Sequence, residues 1–237
     1  MRVAALVPAY QAAAHLGEVL LRLRELPAPP QVLVVDDGSR DATAEVARRF
    51  GARVISFAGN RGKGYALLAG FEALRDDFEA VVTLDADGQH PPECLPDFVR
   101  AAEGGADLVL GRRARTPDMP FSRRFANGFS SGWASLLAGQ QVSDSQCGYR
   151  LHSSRLLRGT PATPGRYEVE TELVVRAARL GFRLAEVEIP TVYGEEKSQI
   201  RTLHDVPRIV GTLVRLTREG VLPPAAMRAA RAGRSPA

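Results

Sequence analysis

The sequence predicts an α/β protein with a mostly parallel central sheet and helices on both faces, and two observations carry that prediction. Short runs of β-branched and apolar residues alternate with stretches of helical length and spacing. Several of those runs end abruptly in Pro, Gly or acidic residues, as strands do at the carboxyl edge of an open sheet.

The elements follow in order. Arg2 to Val7 reads as a short buried strand stopped by Pro8. Leu16, Val19, Leu20 and Leu23 share one helical face, so Ala13 to Leu26 is expected to be a helix, ended by Pro27-Ala28-Pro29-Pro30. Gln31 to Val35 is the second strand. Ser39 or Asp41 is expected to cap a helix that runs through Phe50 and closes at Gly51. Arg53 to Phe57 is a third strand, and Asn60-Arg61-Gly62-Lys63-Gly64 opens a helix from Tyr65 to Arg75. Ala80 to Leu84 is the fourth strand, Leu95 to Ala102 a helix after Pro91-Pro92, and Asp107 to Leu110 a fifth strand. The stretch from Arg112 to Tyr149 is less regular and holds the only tryptophan, Trp133. Glu168 to Leu180 returns to helical spacing, and Arg183 to Ile189 is a strand stopped by Pro190.

Composition bounds the class. With 237 residues, 45% hydrophobic and 24% charged, the chain has enough apolar material for one full-sized core. No apolar run approaches the roughly 20 residues that span a bilayer, and the amino terminus does not read as a signal peptide. Cys94 and Cys147 make neither a disulfide framework nor a zinc site, so a reducing cytoplasm is expected. The formal charge of +4 is small and comes without a recognition motif, so no nucleic-acid partner is expected.

The chemistry-bearing residues cluster at strand ends. Val81-Val82-Thr83-Leu84 runs into Asp85-Ala86-Asp87-Gly88-Gln89-His90, where two hard oxygen donors one residue apart either hold a divalent cation or form an acidic turn. His90 there either touches metal or substrate or enters the next helix. Val34-Val35-Asp36-Asp37-Gly38-Ser39 ends in the same style, with carboxylates for a ribose hydroxyl or base N–H, or for a turn and a cap. Pro8, Ala9 and Tyr10 follow the first strand and either wall a base pocket or simply pack. The glycine-rich loop around Lys63 favours an anion at a helix start, or is a flexible turn.

In their order along the chain, PAY, VVDDGSRDAT, NRGKGYALLAG, TLDADGQHPPE, VLGRR and DSQCGYR resemble the family 2 glycosyltransferases of the nucleotide-sugar-binding GT-A fold. The likeness is strongest to the dolichol- or polyprenyl-phosphate mannosyltransferase branch and covers roughly Met1 to His204. It implies a non-processive, inverting, Mg2+- or Mn2+-dependent hexosyltransferase. The donor would be a GDP- or UDP-sugar and the acceptor a polyprenyl phosphate. Pro8, Ala9, Tyr10, Asp36 and Asp37 would line the nucleotide pocket, with Lys63, Asp85, Ala86 and Asp87 beside them. Asp85, Asp87 and Gln89 would hold the metal. Arg113, Arg124, Arg150, Lys197 and Arg201 would face phosphate or acceptor groups, and Glu168 and Glu170 precede a helix over the site.

Some positions depart from the family pattern. Tyr10-Gln11-Ala12-Ala13 stands where an acidic residue is frequent, and Ser198-Gln199 replaces a phosphate-binding Ser-Lys. The QxxRW motif of processive synthases is absent, so single addition is expected. PAYQAAAH also lacks the Gly- and Arg-rich loop of a nucleotidyltransferase. A hydroxyl acceptor would need a general base, for which Asp144 is the candidate; an anionic phosphate acceptor would need cations such as Arg112, Arg113, Arg115, Arg123 and Arg124. A non-catalytic binding module is the remaining alternative. Residues 1–204 are expected to form the catalytic domain and 205–224 an amphipathic helix. That helix would dock on the core or at the inner face of a membrane. Residues 225–237 form an expected disordered tail.

Overall fold

Parallel strands whose acidic ends share one edge form the centre of the molecule. A computed structural model describes residues 1–113, 131–132, 134–160, 168–190 and 211. The expected C-terminal helix and tail, with Arg115, Arg123, Arg124, Trp133, Lys197, Ser198, Gln199 and Arg201, lie outside those residues, save for the helical, exposed Gly211.

The strands are β1 (Val3–Ala9), β2 (Gln31–Asp36), β3 (Arg53–Ser56), β4 (Ala80–Thr83), β5 (Leu108–Arg113), β6 (Arg150–Ser153) and β7 (Leu184–Ile189). They form one 7-stranded sheet in the order β3-β2-β1-β4-β6-β5-β7. Every strand pair is parallel except the two made by β6, which runs antiparallel between β4 and β5. The chain leaves β1 toward β2 and β3, then returns to place β4 on the other side of β1. This reversal opens a crevice at the carboxyl ends of β1 and β4, where such sheets take their ligands.

The helices are α1 (Ala13–Arg24), α2 (Thr43–Arg49), α3 (Lys63–Leu74), α4 (Leu95–Glu103), α5 (Ser154–Gly159) and α6 (Glu168–Arg179). Residues 131–132 and 134–138 are also helical. Alternation along β1 divides the core in two. Ala5, Val7 and Ala9 meet Leu16, Val19, Leu20 and Leu23 of α1 and Phe98 of α4, whereas Ala4 and Leu6 meet Leu67 and Phe71 of α3 and Leu173 of α6. Each such Leu, Val or Phe contributes about 1.5–3 kcal/mol by leaving water.

Several expectations change in detail. β1 continues through Pro8 to Ala9, because β4 pairs with β1 only as far as Leu6 and the missing proline N–H removes no bond to that strand. Neither Ser39 nor Asp41 occupies the cap position of α2, which is Ala42. Asp41 instead accepts from Thr43 N and Ala13 N at 3.1 and 3.2 Å, tying the starts of α1 and α2 together. α3 begins at Lys63, two residues earlier than expected. β6 and α5 have no counterpart in the sequence reading; Ser153 caps α5 by accepting from Leu156 N at 3.1 Å.

Candidate active site

Asp85 and Asp87 sit just past β4, beside the crevice. The Asp85 carboxylate meets a partly buried ammonium: Lys63 Nζ, from the first turn of α3, lies 2.6 Å from Asp85 Oδ1 and 3.2 Å from Glu170 Oε1 of α6. The Glu170 contact is an ion pair outside hydrogen-bond alignment. Side-chain exposures are 19% for Lys63, 29% for Asp85 and 10% for Glu170. Burial works against the Asp85 carboxylate, but Lys63 outweighs it and brings the pKa down to about 2. Burial likewise disfavours the Lys63 ammonium, and Asp85 then Glu170 overcome it, so its pKa rises.

Asp87 is treated differently. Its Oδ1 accepts only the Gln89 N–H, at 3.0 Å. Burial, then the neighbouring Asp85 charge, push its pKa up. A cation here would relieve that repulsion.

Beneath the acidic edge, His90 Nδ1 accepts the Asp85 N–H at 3.1 Å and Nε2 faces Cys147 Sγ at 3.8 Å. Burial lowers the His90 pKa, and burial followed by the Asp144 charge takes the Cys147 thiol up to about 12. His90 therefore props the Asp85 backbone as a neutral ring, and Cys147 is an inert packing group. Both cysteines are free. Gly148 closes the site from the β6 side. A Cβ there would fall 2.8 Å from Asp85 Oδ2 and 2.9 Å from Lys63 Nζ, so any larger residue would have to shift this ion pair.

The β2 edge shows what the other expected residues do. Asp36 Oδ1 accepts the Ser39 N–H at 3.0 Å, and Asp36 stays at the crevice beside Ala9. Tyr10 is 40% exposed there, open to a ligand. Gln11, with φ of 53°, donates its N–H to Ser39 Oγ. Asp37 is engaged within the protein: its two oxygens accept the N–H groups of Arg61 and Gly62 at 2.7 and 2.8 Å, so two donors of the glycine-rich loop hold the protein's own carboxylate.

Two further expected residues have partners within the protein on the β5–β6 side. Arg150 is 1% exposed, and its guanidinium donates to the carbonyls of Cys147, Glu170 and Ser145 at 2.7, 2.5 and 2.7 Å. It clamps the 145–148 loop to α6. Asp144 accepts Arg113 Nε and Nη2 at 2.7 and 3.1 Å, and its Oδ1 also takes the N–H groups of Gln146 and Cys147. Burial opposes ionisation, but Arg113 prevails and lowers the Asp144 pKa, so this carboxylate is a poor proton acceptor. Arg113 remains at the rim, with Nη1 outside the pair.

The donor chemistry of Asp85 and Asp87 fits a divalent cation, and the ammonium against Asp85 already stands where positive charge is wanted. No group of three His, Cys, Asp or Glu side chains is placed to hold a metal among the described residues. Gln89 and oxygens of a bound diphosphate would have to complete such a shell. Sequence reasoning missed the partnership of Lys63 with Glu170, although both residues stood in segments already singled out.

The family model described as glycosyl transferase family 2 matches residues 4–159. An undecaprenyl-phosphate mannosyltransferase of Micrococcus luteus is 34% identical over 210 residues, covering 82% of this chain and 85% of that protein. A dolichyl-phosphate hexose transferase of Haloferax volcanii is 34% identical over 177 residues, covering 74% of this chain and 76% of that protein. Among solved structures, glucosyl-3-phosphoglycerate synthase from Mycobacterium tuberculosis in complex with Mn2+, uridine diphosphate and glucosyl-3-phosphoglycerate aligns with a TM-score of 0.74 at 22% identity, over 90% of this chain and 79% of that chain. That last likeness is one of fold.

Proposed function

Because the chain belongs to glycosyl transferase family 2, we propose that it transfers one sugar, with inversion, from a nucleotide-diphosphate sugar to a polyprenyl phosphate at a membrane surface. The observation that carries the donor half is the β4 edge. Two carboxylates project at the switch point of the sheet, one paired with a partly buried ammonium and the other crowded by its neighbour's charge. Tyr10 and Asp36 at the ends of β1 and β2 would flank the base and ribose. Asp85, Asp87 and Gln89 would hold Mg2+ or Mn2+, which would supply positive charge to the departing diphosphate.

The acceptor half rests on the named relatives, whose acceptors are polyprenyl phosphates, and on the pairing of Asp144. A phosphate oxygen is already anionic and attacks the anomeric carbon without surrendering a proton, whereas a hydroxyl needs a base. With both Asp144 oxygens engaged by Arg113 and two backbone amides, a phosphate acceptor is favoured. Arg113 at the rim would attract it. Among the described residues no helix is long and apolar enough to cross a membrane.

The test is product formation from radiolabelled GDP- and UDP-sugars with Mn2+ and a short-chain polyprenyl phosphate. A labelled lipid is expected from one donor class and is lost on chelation. Labelled glycan without labelled lipid would move the reading to a hydroxyl acceptor. Silence across the panel, with nucleotide binding intact, would reduce the protein to a binding module.

A further inference from the structure

The partly buried ammonium at the acidic edge suggests how metal and donor enter together. Lys63 Nζ touches Asp85 Oδ1 at 2.6 Å, closer than its second partner Glu170 at 3.2 Å. A cation approaching Asp85 must displace that ammonium or share its carboxylate. Gly148 lies beside both partners, near enough that an added Cβ would meet each of them. Its available destination among the described side chains is Glu170, whose Oε1 is buried and has no aligned hydrogen bond. Arg113, the next cation along this edge, is committed to Asp144.

We propose that Lys63 is an internal competitor for the Asp85 carboxylate, so that a divalent ion is taken up strongly only when a nucleoside diphosphate arrives to receive the ammonium. This rests on the metal-dependent transfer reading and adds an order to it. Without nucleotide, the ion faces a carboxylate already neutralised by contact and a nearby positive charge. With nucleotide, the diphosphate oxygens would accept from Lys63 and free Asp85, which with Asp87 would then hold the ion. Glu170 acts through Lys63: it offers the ammonium a second carboxylate to turn to when Asp85 is claimed, and so is a positioning residue.

Mn2+ binding to the full chain, followed by the electron paramagnetic resonance of free Mn2+ and by calorimetry, tests the proposal. Nucleotide-free wild type is expected to bind weakly. Lys63→Met keeps the side-chain length and removes the charge, and is expected to bind Mn2+ at least about tenfold more tightly without nucleotide. Glu170→Gln leaves the ammonium to Asp85 alone and is expected to bind several-fold less tightly than wild type. A variant that merely damages the site would weaken binding in both cases. The gain in Lys63→Met should persist at about 1 M salt, because a partly buried contact pair is screened far less than a distant charge.

Equal nucleotide-free affinity in wild type and Lys63→Met would overturn the competition while leaving sugar transfer untouched. A gain that vanishes at high salt would overturn it in favour of a diffuse field. If neither protein binds Mn2+ even with GDP or UDP present, the metal reading itself fails, and labelled-product formation in the presence of chelator would show that independently.

Discussion

β2 and β4 both end in paired acidic residues followed by glycine, yet the structure uses the two ends in opposite ways. At β2, the Asp37 carboxylate is spent on the backbone, taking two N–H groups of the 61–62 loop, and Asp36 takes the Ser39 N–H. Gly38, with φ of 72°, passes so close to Gly59 that an added Cβ would sit 2.4 Å from its carbonyl carbon, so the two loops are locked into one wall. At β4, Asp85 is balanced by a side-chain ammonium and Asp87 by a single amide. Backbone amides are fixed partners, whereas an ammonium on a four-carbon stem can be exchanged. Asp37, with both oxygens held by amides, builds the wall; Asp85, held by an ammonium, and Asp87, with one oxygen beyond its single amide, can bind something else.

The largest effect that would break this contrast lies at Asp87. Asp87→Asn should reduce sugar transfer by about a thousandfold, roughly 4 kcal/mol of transition-state stabilisation. It should leave the melting temperature unchanged or slightly higher, because substitution removes the repulsion that raises the Asp87 pKa. A loss of activity accompanied by a large fall in melting temperature would place Asp87 with the structural carboxylates.

Asp37→Ala is the mirror experiment. It strands two amides that now donate to a buried carboxylate, at a cost of about 2 to 4 kcal/mol. At 2–4 °C per kcal/mol for a chain of this size, the melting temperature should fall by very roughly 4–16 °C. Activity measured well below the transition should fall far less than in Asp87→Asn. Calorimetry beside a transfer assay on the same preparation checks both halves.

The contrast between the two ends was not legible in the sequence, and the reason is physical. Val34-Val35-Asp36-Asp37-Gly38 and Thr83-Leu84-Asp85-Ala86-Asp87-Gly88 announce strands, turns and charge equally well. What decides their use is the partner, and the partners come from distant segments: the 61–62 amides for Asp37, Lys63 and Glu170 for Asp85. The parallel strands were legible because each has an apolar run with a clear stop. β6 was not, because Arg150-Leu151-His152-Ser153 places an arginine and a histidine in the interior, where periodicity expects apolar residues. The carbonyl partners of Arg150, which lie in the 145–147 loop and on α6, were hidden for the same reason, and the pairing of Asp144 with Arg113 bridges residues 31 positions apart.

A buried group with neither kind of partner sharpens the rule further. His152 on β6 lies against Phe71, and its Nδ1 has no hydrogen-bond partner. Burial, then the Arg150 charge, bring its pKa down to about 3. The unfolded chain therefore binds a proton near pH 6.5 that the folded chain refuses until about pH 3, so stability falls as pH falls through that window. The slope assignable to His152 is about 1.4 kcal/mol per pH unit. In His152→Phe, urea unfolding free energies measured from pH 7 to pH 4 should decline less steeply by about that amount. An unchanged slope would mean that the acid sensitivity of the fold resides elsewhere.

The smallest effect concerns the turn that joins the two ends of the crevice. Gln11 has φ of 53° in a region that side chains with a Cβ occupy at a cost, and its N–H is tied to Ser39 Oγ at 2.9 Å. That bond helps hold the strained turn beside Tyr10, at the crevice proposed to take the nucleotide. Gln11→Gly relieves the steric cost but loosens the unfolded chain, so the net gain in stability is expected to be no more than about 1 kcal/mol. Gln11→Asn keeps a side chain that tolerates this conformation and should gain at least as much. If the turn serves only the fold, both variants should keep the wild-type KM for the donor. If its rigidity presents Tyr10 to the base, Gln11→Gly should raise the donor KM several-fold at unchanged kcat, while Gln11→Asn should not.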